Sequence, residues 1–190
     1  MIPDTLRRVL VRFRDHLDHM MHATRGRRAR NRLAEAGARS VLFICHGNVC
    51  RSPYGEWYLK ARAKGPLQVE SAGFIGPGRA PPSEAQTVAL ARGVDHRDHR
   101  SRVVTPEMLD VADAVFVFDR FNVKLLREVN GVRWRRVFWL GDLDPEWAGK
   151  RAIADPWGRP RAEFEEVFER IERCVDAALD CAPLNGQAAD

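Results

Sequence analysis

The sequence predicts an α/β fold: a small doubly wound sheet of four parallel strands with helices on both faces, preceded by a helical N-terminal extension. Three observations support this prediction. Short apolar runs alternate with amphipathic segments from residue 40 onward, which is typical of β–α–β crossovers. The runs are almost wholly apolar, as in strands that are buried on both faces. A chain of 190 residues is long enough for one such domain and short for two.

Four apolar runs predict the strands, and five amphipathic segments predict helices in the same region. The predicted strands are SVLFIC (40–45), LQVESAG (67–73), DAVFVF (113–118) and RRVFWL (135–140). The predicted helices are SPYGEWYLKARA (52–63), PPSEAQTVALARG (81–93), TPEMLDVA (105–112), RFNVKLLREV (120–129) and AEFEEVFERIERCVDAALDC (162–181). The domain is therefore expected to span residues 40–183, with a flexible tail at residues 184–190.

Local signals predict where several helices begin and end. Ser52 is expected to cap the first helix of the domain, with Pro53 at its first position. Ser83 and Gln86 have the spacing of a capping box, and Gly93 is expected to end that helix. Thr105 is expected to cap the next one. Gly55 lies inside a helix, where glycine costs roughly 0.5–1 kcal/mol relative to alanine, so a close neighbour is expected there.

Residues 1–39 differ from the rest of the chain. They contain ten arginines against four acidic residues, a local charge of +6, whereas the whole chain carries +5. Apolar residues recur every three or four positions, which predicts a basic amphipathic helix. They are Leu6, Val9, Leu10, Phe13, Leu17, Met20 and Met21. This stripe could pack on the domain or a second subunit, or it could face an acidic partner or an anionic membrane surface. Nucleic acid is not expected, because no aromatic residues are interleaved with the arginines.

The overall composition is that of a globular protein, with 45% apolar and 30% charged residues. No apolar run approaches the roughly 20 residues that span a bilayer, and the N-terminus lacks the pattern of a secretory signal. A cytoplasmic location is therefore expected, and with it free thiols at Cys45, Cys50, Cys174 and Cys181.

The loop after the first predicted strand carries the strongest chemical signal. Cys45 ends the strand, Gly47 and Asn48 can adopt positive φ values, and Arg51 precedes a helix. Inward-pointing N–H groups, a helix N-terminus and a guanidinium fork together form a site for a tetrahedral oxyanion. A cysteine in such surroundings is favoured as a thiolate nucleophile. A zinc site is not supported, because no second ligand pair has suitable spacing, and the Cys-x-x-Cys motif of redox proteins is absent.

The segment VLFICHGNVCRSP closely resembles the low-molecular-weight protein tyrosine phosphatases, whose loop reads V-C-x-G-N-I-C-R-S-P. The resemblance continues through VESAG, DHRSR, TPEML, ADAVFVFDRFN and ADPWG, over roughly residues 40–180. It implies hydrolysis of phosphotyrosine without metal or cofactor, with Cys45 as nucleophile and Arg51 as phosphate clamp. It also implies a phosphate-binding loop of His46, Gly47, Asn48, Val49, Cys50, Arg51 and Ser52, supported by Ser71 and His99. Ser52 would stabilise the thiolate.

A phosphatase of this kind also needs an acid to protonate the leaving group, a contribution of typically 10²–10⁴-fold. Two Asp-Pro pairs compete for this role, at Asp144 and at Asp155. Asp155 is favoured, because the sequence that follows it, Pro-Trp-Gly before the last helix, matches the acid loop of the family. Trp157 would then form an apolar wall for an aryl group, and His46 would point toward the mouth of the site.

Other interpretations remain open at this stage. Cys50 could form a reversible disulfide with oxidised Cys45, or be only a small buried residue. An arsenate reductase on the same scaffold would use further cysteines, and Cys174 and Cys181 are separated by seven residues. A non-catalytic phosphate-binding module is a third alternative. The resemblance also suggests a substrate, because bacterial relatives often act on tyrosine kinases of polysaccharide export.

Overall fold

The protein is described here from a computed structural model that covers residues 4–146 and 149–181. In the first helix it describes the side chains of residues 13, 16, 17 and 19 onward. The strands are β1 Ser40–Ile44, β2 Gln68–Ala72, β3 Ala114–Val117 and β4 Val137–Trp139. The helices are α1 Asp4–Ala36, α2 Arg51–Arg62, α3 Ser83–Ala91, α4 Pro106–Val111, α5 Arg120–Leu126 and α6 Arg161–Cys181. The predicted tail at 184–190 lies outside the described residues.

The four strands form one parallel sheet in the order β2-β1-β3-β4, which confirms the predicted fold class. In the register of the sheet, Phe43 of β1 pairs with Ser71 of β2 and with Phe116 of β3. The order reverses beside β1, since the chain goes first to one side of this strand and then to the other. Ligands of such sheets bind at the carboxyl ends of the strands at this switch point, which here is the end of β1.

Each face of the sheet is covered by its own apolar cluster. On one face Phe43, Phe116 and Phe138 pack against α2 and α6, with Phe43 and Phe116 stacked at 5.2 Å. The other face, which carries Leu42 and Ile44, packs against α4 and α5. The apolar face of α6 is buried from Phe164 to Ala178, and truncating one of its phenylalanines to alanine would cost about 3–5 kcal/mol.

Two of the predicted helix starts are wrong. Helix α2 begins at Arg51 with Cys50 in the cap position, because the Ser52 hydroxyl turns inward to the loop instead of capping the helix. Helix α3 begins at Ser83 itself, and the amide of Gln86 bonds the carbonyl of Pro81, so no capping box forms. The cap at Thr105 is confirmed, since its hydroxyl accepts a hydrogen bond from the Met108 N–H at 3.4 Å.

Gly55 has the close neighbour that its position in a helix predicts. A Cβ atom at this position would lie 3.0 Å from the ring of Phe43, so glycine lets α2 approach the sheet. The same helix carries the arginine of the loop at its first residue. Close packing of α2 on β1 therefore fixes the position of Arg51 at the carboxyl end of the sheet.

Helix α1 is anchored to the domain through its second half. Gly26, Ala29 and Leu33 are buried there, and a Cβ atom at Gly26 would lie 2.9 Å from the carbonyl oxygen of Asp142. Such an approach leaves no room for any other residue at position 26. The boundary expected at residue 39 is thus not a break in packing, because the last turns of the extension belong to the core.

The first half of α1 exposes its apolar stripe as far as the side chains are described. Phe13, Leu17, Met20 and Met21 are 39–61% exposed, whereas the side chains of Leu6, Val9 and Leu10 lie outside the described residues. Met20 and Ala29 are about two and a half helical turns apart, so they face opposite sides of the helix. The stripe therefore points away from the domain on which α1 packs. Within the described residues, no helix is both long and apolar enough to cross a membrane.

Candidate active site

The loop that follows β1 holds an unusual backbone conformation. Asn48 has a φ of 52°, a left-handed value that few residues other than glycine adopt. The loop lies close against Gly73, where a Cβ atom would be 2.7 Å from the Asn48 nitrogen. The Phe74 N–H also donates to the His46 carbonyl at 2.8 Å. Contacts with the end of β2 thus hold the loop in a shape that the chain would not adopt alone.

Asn48 is the centre of a buried hydrogen-bond network. Its amide nitrogen donates to the hydroxyls of Ser52 and Ser71, at 2.9 and 2.8 Å. Its amide oxygen accepts from the Arg102 N–H, and its carbonyl accepts from His99 Nε2 at 2.9 Å. The predicted supporting residues Ser71 and His99 therefore both contact the loop at this one residue.

The Cys45 sulfur lies at the end of β1 and is 2% exposed as a residue. Its Sγ atom is 3.0 Å from the hydroxyl of Ser52. A hydroxyl that donates to sulfur stabilises the thiolate over the thiol, since the bond strengthens when the acceptor is charged. The geometry thus joins the predicted nucleophile to the residue expected to stabilise it.

The Arg51 side chain is 1% exposed and is held by two carboxylates. Its Nη1 donates to Asp119 at 2.6 Å and to the Ile153 carbonyl at 3.0 Å, and its Nη2 donates to Asp155 at 2.6 Å. Burial alone would lower the pKa of Arg51, but the negative charges of Cys45, Asp155 and Asp119 raise it above its ordinary value. The guanidinium stays charged, and its buried Nε has no partner among the described residues. The edge formed by Nε and Nη2 can grip two oxygens of a phosphate.

A cavity of about 200 Å³ opens above the loop. Its lining includes Cys45, His46, Gly47, Val49, Cys50, Ile75, Arg79, Asp155 and Trp157. Asp155 is 41% exposed at its side chain, and Trp157 is 56% exposed beside it. The structure thus brings Asp155, the predicted acid, and Trp157, the predicted wall, to the same opening as Cys45.

The competing aspartate, Asp144, is placed elsewhere. It is 1% exposed, it bonds Arg170 and Arg173 of α6, and it does not line the cavity. Cys174 is fully buried in the core on the same helix. Cys181 donates to the Ala177 carbonyl of its own helix. Neither cysteine lines the cavity, so the arrangement offers no second thiol from α6 to the loop.

Comparison with known proteins agrees with this geometry. The family model of the low molecular weight phosphotyrosine protein phosphatases matches residues 40–187. The chain belongs to this family. A probable low molecular weight protein-tyrosine-phosphatase, EpsP of Ralstonia nicotianae, is 31% identical over 141 residues, 73% of this chain and 92% of the relative.

Solved structures of the phosphatase family superpose on most of the chain. The tyrosine phosphatase AmsI of Erwinia amylovora has a TM-score of 0.69 at 29% identity and covers 76% of this chain and 93% of its own. The arginine phosphatase YwlE of Geobacillus stearothermophilus also has a TM-score of 0.69, at 26% identity over 80% of this chain and 99% of its own. The family model begins at residue 40, so it does not include α1.

Three residues of this phosphatase site were not predicted from the sequence. Asp119 fixes the inner edge of Arg51, and its position directly after an apolar strand next to β1 is a signal that could have revealed it. Ile75 and Arg79, from the loop after β2, line the cavity together with Trp157. The neighbouring Phe74 packs against the apolar cluster on the other face of the sheet. Nothing in the sequence indicates that Arg79 folds back to bond the carbonyls of Gly47, Ile75 and Gly76.

Cys50 lies in the same loop as the nucleophile and is 2% exposed. Burial, and then the negative charges of Cys45 and Asp155, raise its pKa far above the usual range of a thiol. It is therefore protonated at neutral pH, unlike a nucleophile that must be a thiolate. Within the described residues, no three His, Cys, Asp or Glu side chains are grouped so that they could hold a metal ion.

Proposed function

We propose that the protein is a protein-tyrosine phosphatase that hydrolyses phosphotyrosine through a cysteinyl-phosphate intermediate. One observation carries the proposal: Cys45 and the carboxylate of Asp155 line one cavity, and Asp155 is bonded there to the guanidinium of Arg51. A binding module would need the cation but neither the nucleophile nor the acid. Family membership and the tyrosine phosphatases among the relatives support the same activity.

The reaction follows from the roles of these groups. The Cys45 thiolate attacks phosphorus while the phosphate oxygens are held by Arg51 and by the N–H groups of the loop. The bond from phosphorus to the tyrosine oxygen breaks, and Asp155, in its protonated form, gives its proton to that oxygen. Asp155, now a carboxylate, removes a proton from a water molecule. The water attacks phosphorus, phosphate leaves, and the Cys45 thiolate is restored.

The walls of the cavity favour an aryl phosphate. Val49, Ile75 and Trp157 are apolar and surround the opening above the loop. A flat ring buries apolar surface against them, whereas phosphoserine is too short to reach both the loop and the walls. Phosphoarginine is the second candidate substrate, because the structural neighbour YwlE is an arginine phosphatase and Asp155 could face a guanidinium leaving group.

Kinetics on matched peptides test the proposal. Peptides that differ only in carrying phosphotyrosine, phosphoserine or phosphoarginine are compared, and arsenate reduction is assayed in parallel. We expect turnover of phosphotyrosine, none in Cys45→Ser, and retained phosphate binding in that variant. Preferred hydrolysis of the phosphoarginine peptide would change the proposed substrate class from phosphotyrosine to phosphoarginine. Arsenate reduction that depends on Cys174 or Cys181, or phosphate binding without turnover, would overturn the proposal.

We also propose that the helical extension attaches the enzyme to an anionic membrane surface. The exposed stripe points away from the domain, and residues 1–39 carry a charge of +6. Apolar burial combined with basic charge is the pattern of helices that lie on anionic lipid. Such a position would suit a phosphotyrosine substrate at the membrane, including a tyrosine kinase of polysaccharide export.

Vesicle sedimentation tests the attachment. The full-length protein is expected to sediment with vesicles of anionic lipid and much less with neutral ones. Leu17→Asp with Met20→Asp should abolish sedimentation, whereas Ala23→Asp, which adds charge to the same helix outside the stripe, should retain most of it. Equal sedimentation of all variants would dismiss the role of the stripe. Binding only to an acidic protein would assign the helix to that partner instead.

A further inference from the structure

A basic groove runs along α5, the helix whose first turn contacts the active site. Asp119, which bonds Arg51, is the cap of this helix, and its Oδ1 accepts from the Asn122 N–H at 2.7 Å. Phe121, in the first turn, packs edge-on against His46 of the phosphate loop, with ring centroids 5.0 Å apart. The start of α5, which contributes Arg120 to the groove, is therefore joined to the catalytic site through two direct contacts.

Three cations line one side of the groove. Arg120, Lys124 and Arg127 recur at spacings of four and three residues, so they share one face of the helix, and all three are exposed. Among the described residues none of them forms an ion pair. Like charges at this spacing destabilise a helix. Lys124 and Arg127 gain from lying at the C-terminal end of the helix, and the Arg127 guanidinium lies 5.8 Å from the ring centroid of Trp134. Arg120 lies at the N-terminal end, where the helix dipole disfavours a cation. Helix stability therefore does not explain why all three share one face, whereas an anionic ligand would.

The opposite side of the groove is built and fixed. Arg151 donates two hydrogen bonds to Asp142, at 2.7 and 2.6 Å, and its guanidinium lies 4.1 Å from the ring centroid of Trp139. Trp139 and Val123 also line the groove and give it apolar surface. The groove has a volume of about 390 Å³, enough for a phosphate or for carboxylate side chains.

We propose that this groove binds a second anionic group of the peptide substrate, either a further phosphate or neighbouring Asp and Glu carboxylates. The proposal rests on the proposed phosphatase function. From Asp119 to Arg127 the helix rises by about 12 Å, and an extended chain covers about 3.3–3.6 Å per residue. The second anionic group is therefore expected about three to four residues from the phosphotyrosine that enters the cavity.

The experiment compares three phosphotyrosine peptides of equal length. One carries a second phosphotyrosine at the expected spacing, one carries Asp and Glu there, and one is neutral. The readout is the ratio of kcat/KM for each anionic peptide to that for the neutral peptide, so a uniform change in catalysis cancels. We expect a ratio above 1 in the native enzyme that falls when salt is raised, because exposed charges are screened.

Variants of the groove separate this inference from the function on which it rests. Lys124→Gln with Arg127→Gln is expected to lower the ratio by about 3- to 10-fold, as two exposed charge pairs would. Arg135→Gln removes one exposed cation outside the groove and is the matched control for Arg127→Gln alone, which removes one inside it. A ratio near 1 in the native enzyme, or equal loss in the control, overturns the groove while leaving the phosphatase intact. If only the peptide with the second phosphotyrosine has a raised ratio, the groove is specific for phosphate. If the peptide with Asp and Glu also has a raised ratio, the groove binds negative charge in general. No turnover of any aryl phosphate would instead refute the proposed function.

Discussion

Arg51 and Asp155 are bound to each other, with 2.6 Å between Nη2 and Oδ2. One residue is the proposed phosphate clamp and the other the proposed acid, and the shared atom, Nη2, belongs to the guanidinium edge that is proposed to grip the phosphate. A phosphate that takes this edge must displace the carboxylate. Asp155 is then free to turn toward the leaving oxygen, so substrate binding and placement of the acid are linked.

We expect Asp155→Asn to lower kcat for phosphotyrosine by about 10²–10⁴-fold, because no proton reaches the leaving tyrosine oxygen. The loss should be smaller for p-nitrophenyl phosphate, whose leaving group needs less protonation. Inorganic phosphate should bind at least as tightly as to the native enzyme, since a competing negative charge is gone. Inhibition constants and kcat on both substrates check this. An equal loss on both substrates would contradict the role of acid.

Asp119→Asn should lower kcat/KM for aryl phosphates by about 10-fold, or about 1.4 kcal/mol of transition-state stabilisation. The neutral amide no longer anchors the buried guanidinium through Nη1. An asparagine still caps α5, so this change removes the charged contact with Arg51 and leaves the start of the helix intact. The control is Asp119→Ala, which loses both the contact with Arg51 and the cap of α5. Unchanged kcat/KM with lower thermal stability would reduce Asp119 to a structural residue.

The stability of the protein should fall in mild acid because of His96. This residue is 1% exposed, packs edge-on against Tyr54 and Phe168, and neither ring nitrogen has a partner among the described residues. Burial, and then the nearby charge of His99, lower its pKa to about 4. The unfolded chain therefore binds a proton between about pH 6.5 and pH 4 that the folded protein does not. Stability is fully present above this window and is lost as the pH falls through it, by up to about 3 kcal/mol.

Urea denaturation at pH 7 and at pH 4.5 measures this loss. His96→Leu, which keeps an apolar side chain between the two rings, should lose clearly less free energy of unfolding over the same interval. Carboxylates that titrate below this range are common to both proteins and cancel in the comparison. Identical pH dependence of the two proteins would show that His96 is not responsible.

Oxidation tests the predicted role of Cys50. After peroxide treatment, Cys45 sulfenic acid and the Cys50 thiol would form a disulfide and release water, which a thiol reductant reverses. We expect reductant to restore most of the activity of the native enzyme and little of that of Cys50→Ala. Because burial and nearby charge raise the pKa of Cys50, protection should improve as the pH rises. Equal recovery in both proteins would leave Cys50 as a packing residue.

Much of the fold could be predicted because local patterns and tertiary packing agree. Each predicted strand is an apolar run between turn residues, and each appears in the sheet within two residues of its predicted ends at either side. The helix starts at Ser52 and Ser83 failed for a specific reason. Both serines have good capping chemistry, but the hydroxyl of Ser52 is taken by Cys45, and the chain before Ser83 is fixed by two prolines.

The loop was predictable because its nucleophile, turn residues and arginine are contiguous. Asp119, Ile75 and Arg79 come from other parts of the chain. Only the sheet order brings Asp119 to Arg51, and only the packing of the 73–79 segment brings Ile75 and Arg79 to the cavity. The orientation of α1 on the domain could not be predicted from the sequence either. Its periodicity indicates a stripe, but only the buried Gly26 and Ala29 show on which side the domain lies.

The anchored half of α1 determines how the enzyme would sit at a surface. A helix of 33 residues is about 50 Å long, and the packing of Gly26 and Leu33 makes its second half continuous with the catalytic domain. The extension would therefore act as a rigid attachment and not as a flexible tether. A flexible tether lets an active site reach every point within its length, whereas a rigid helix holds Cys45 at one distance from the surface and in one orientation. Selection among phosphotyrosines would then depend on how far each one stands from the lipid as well as on its sequence.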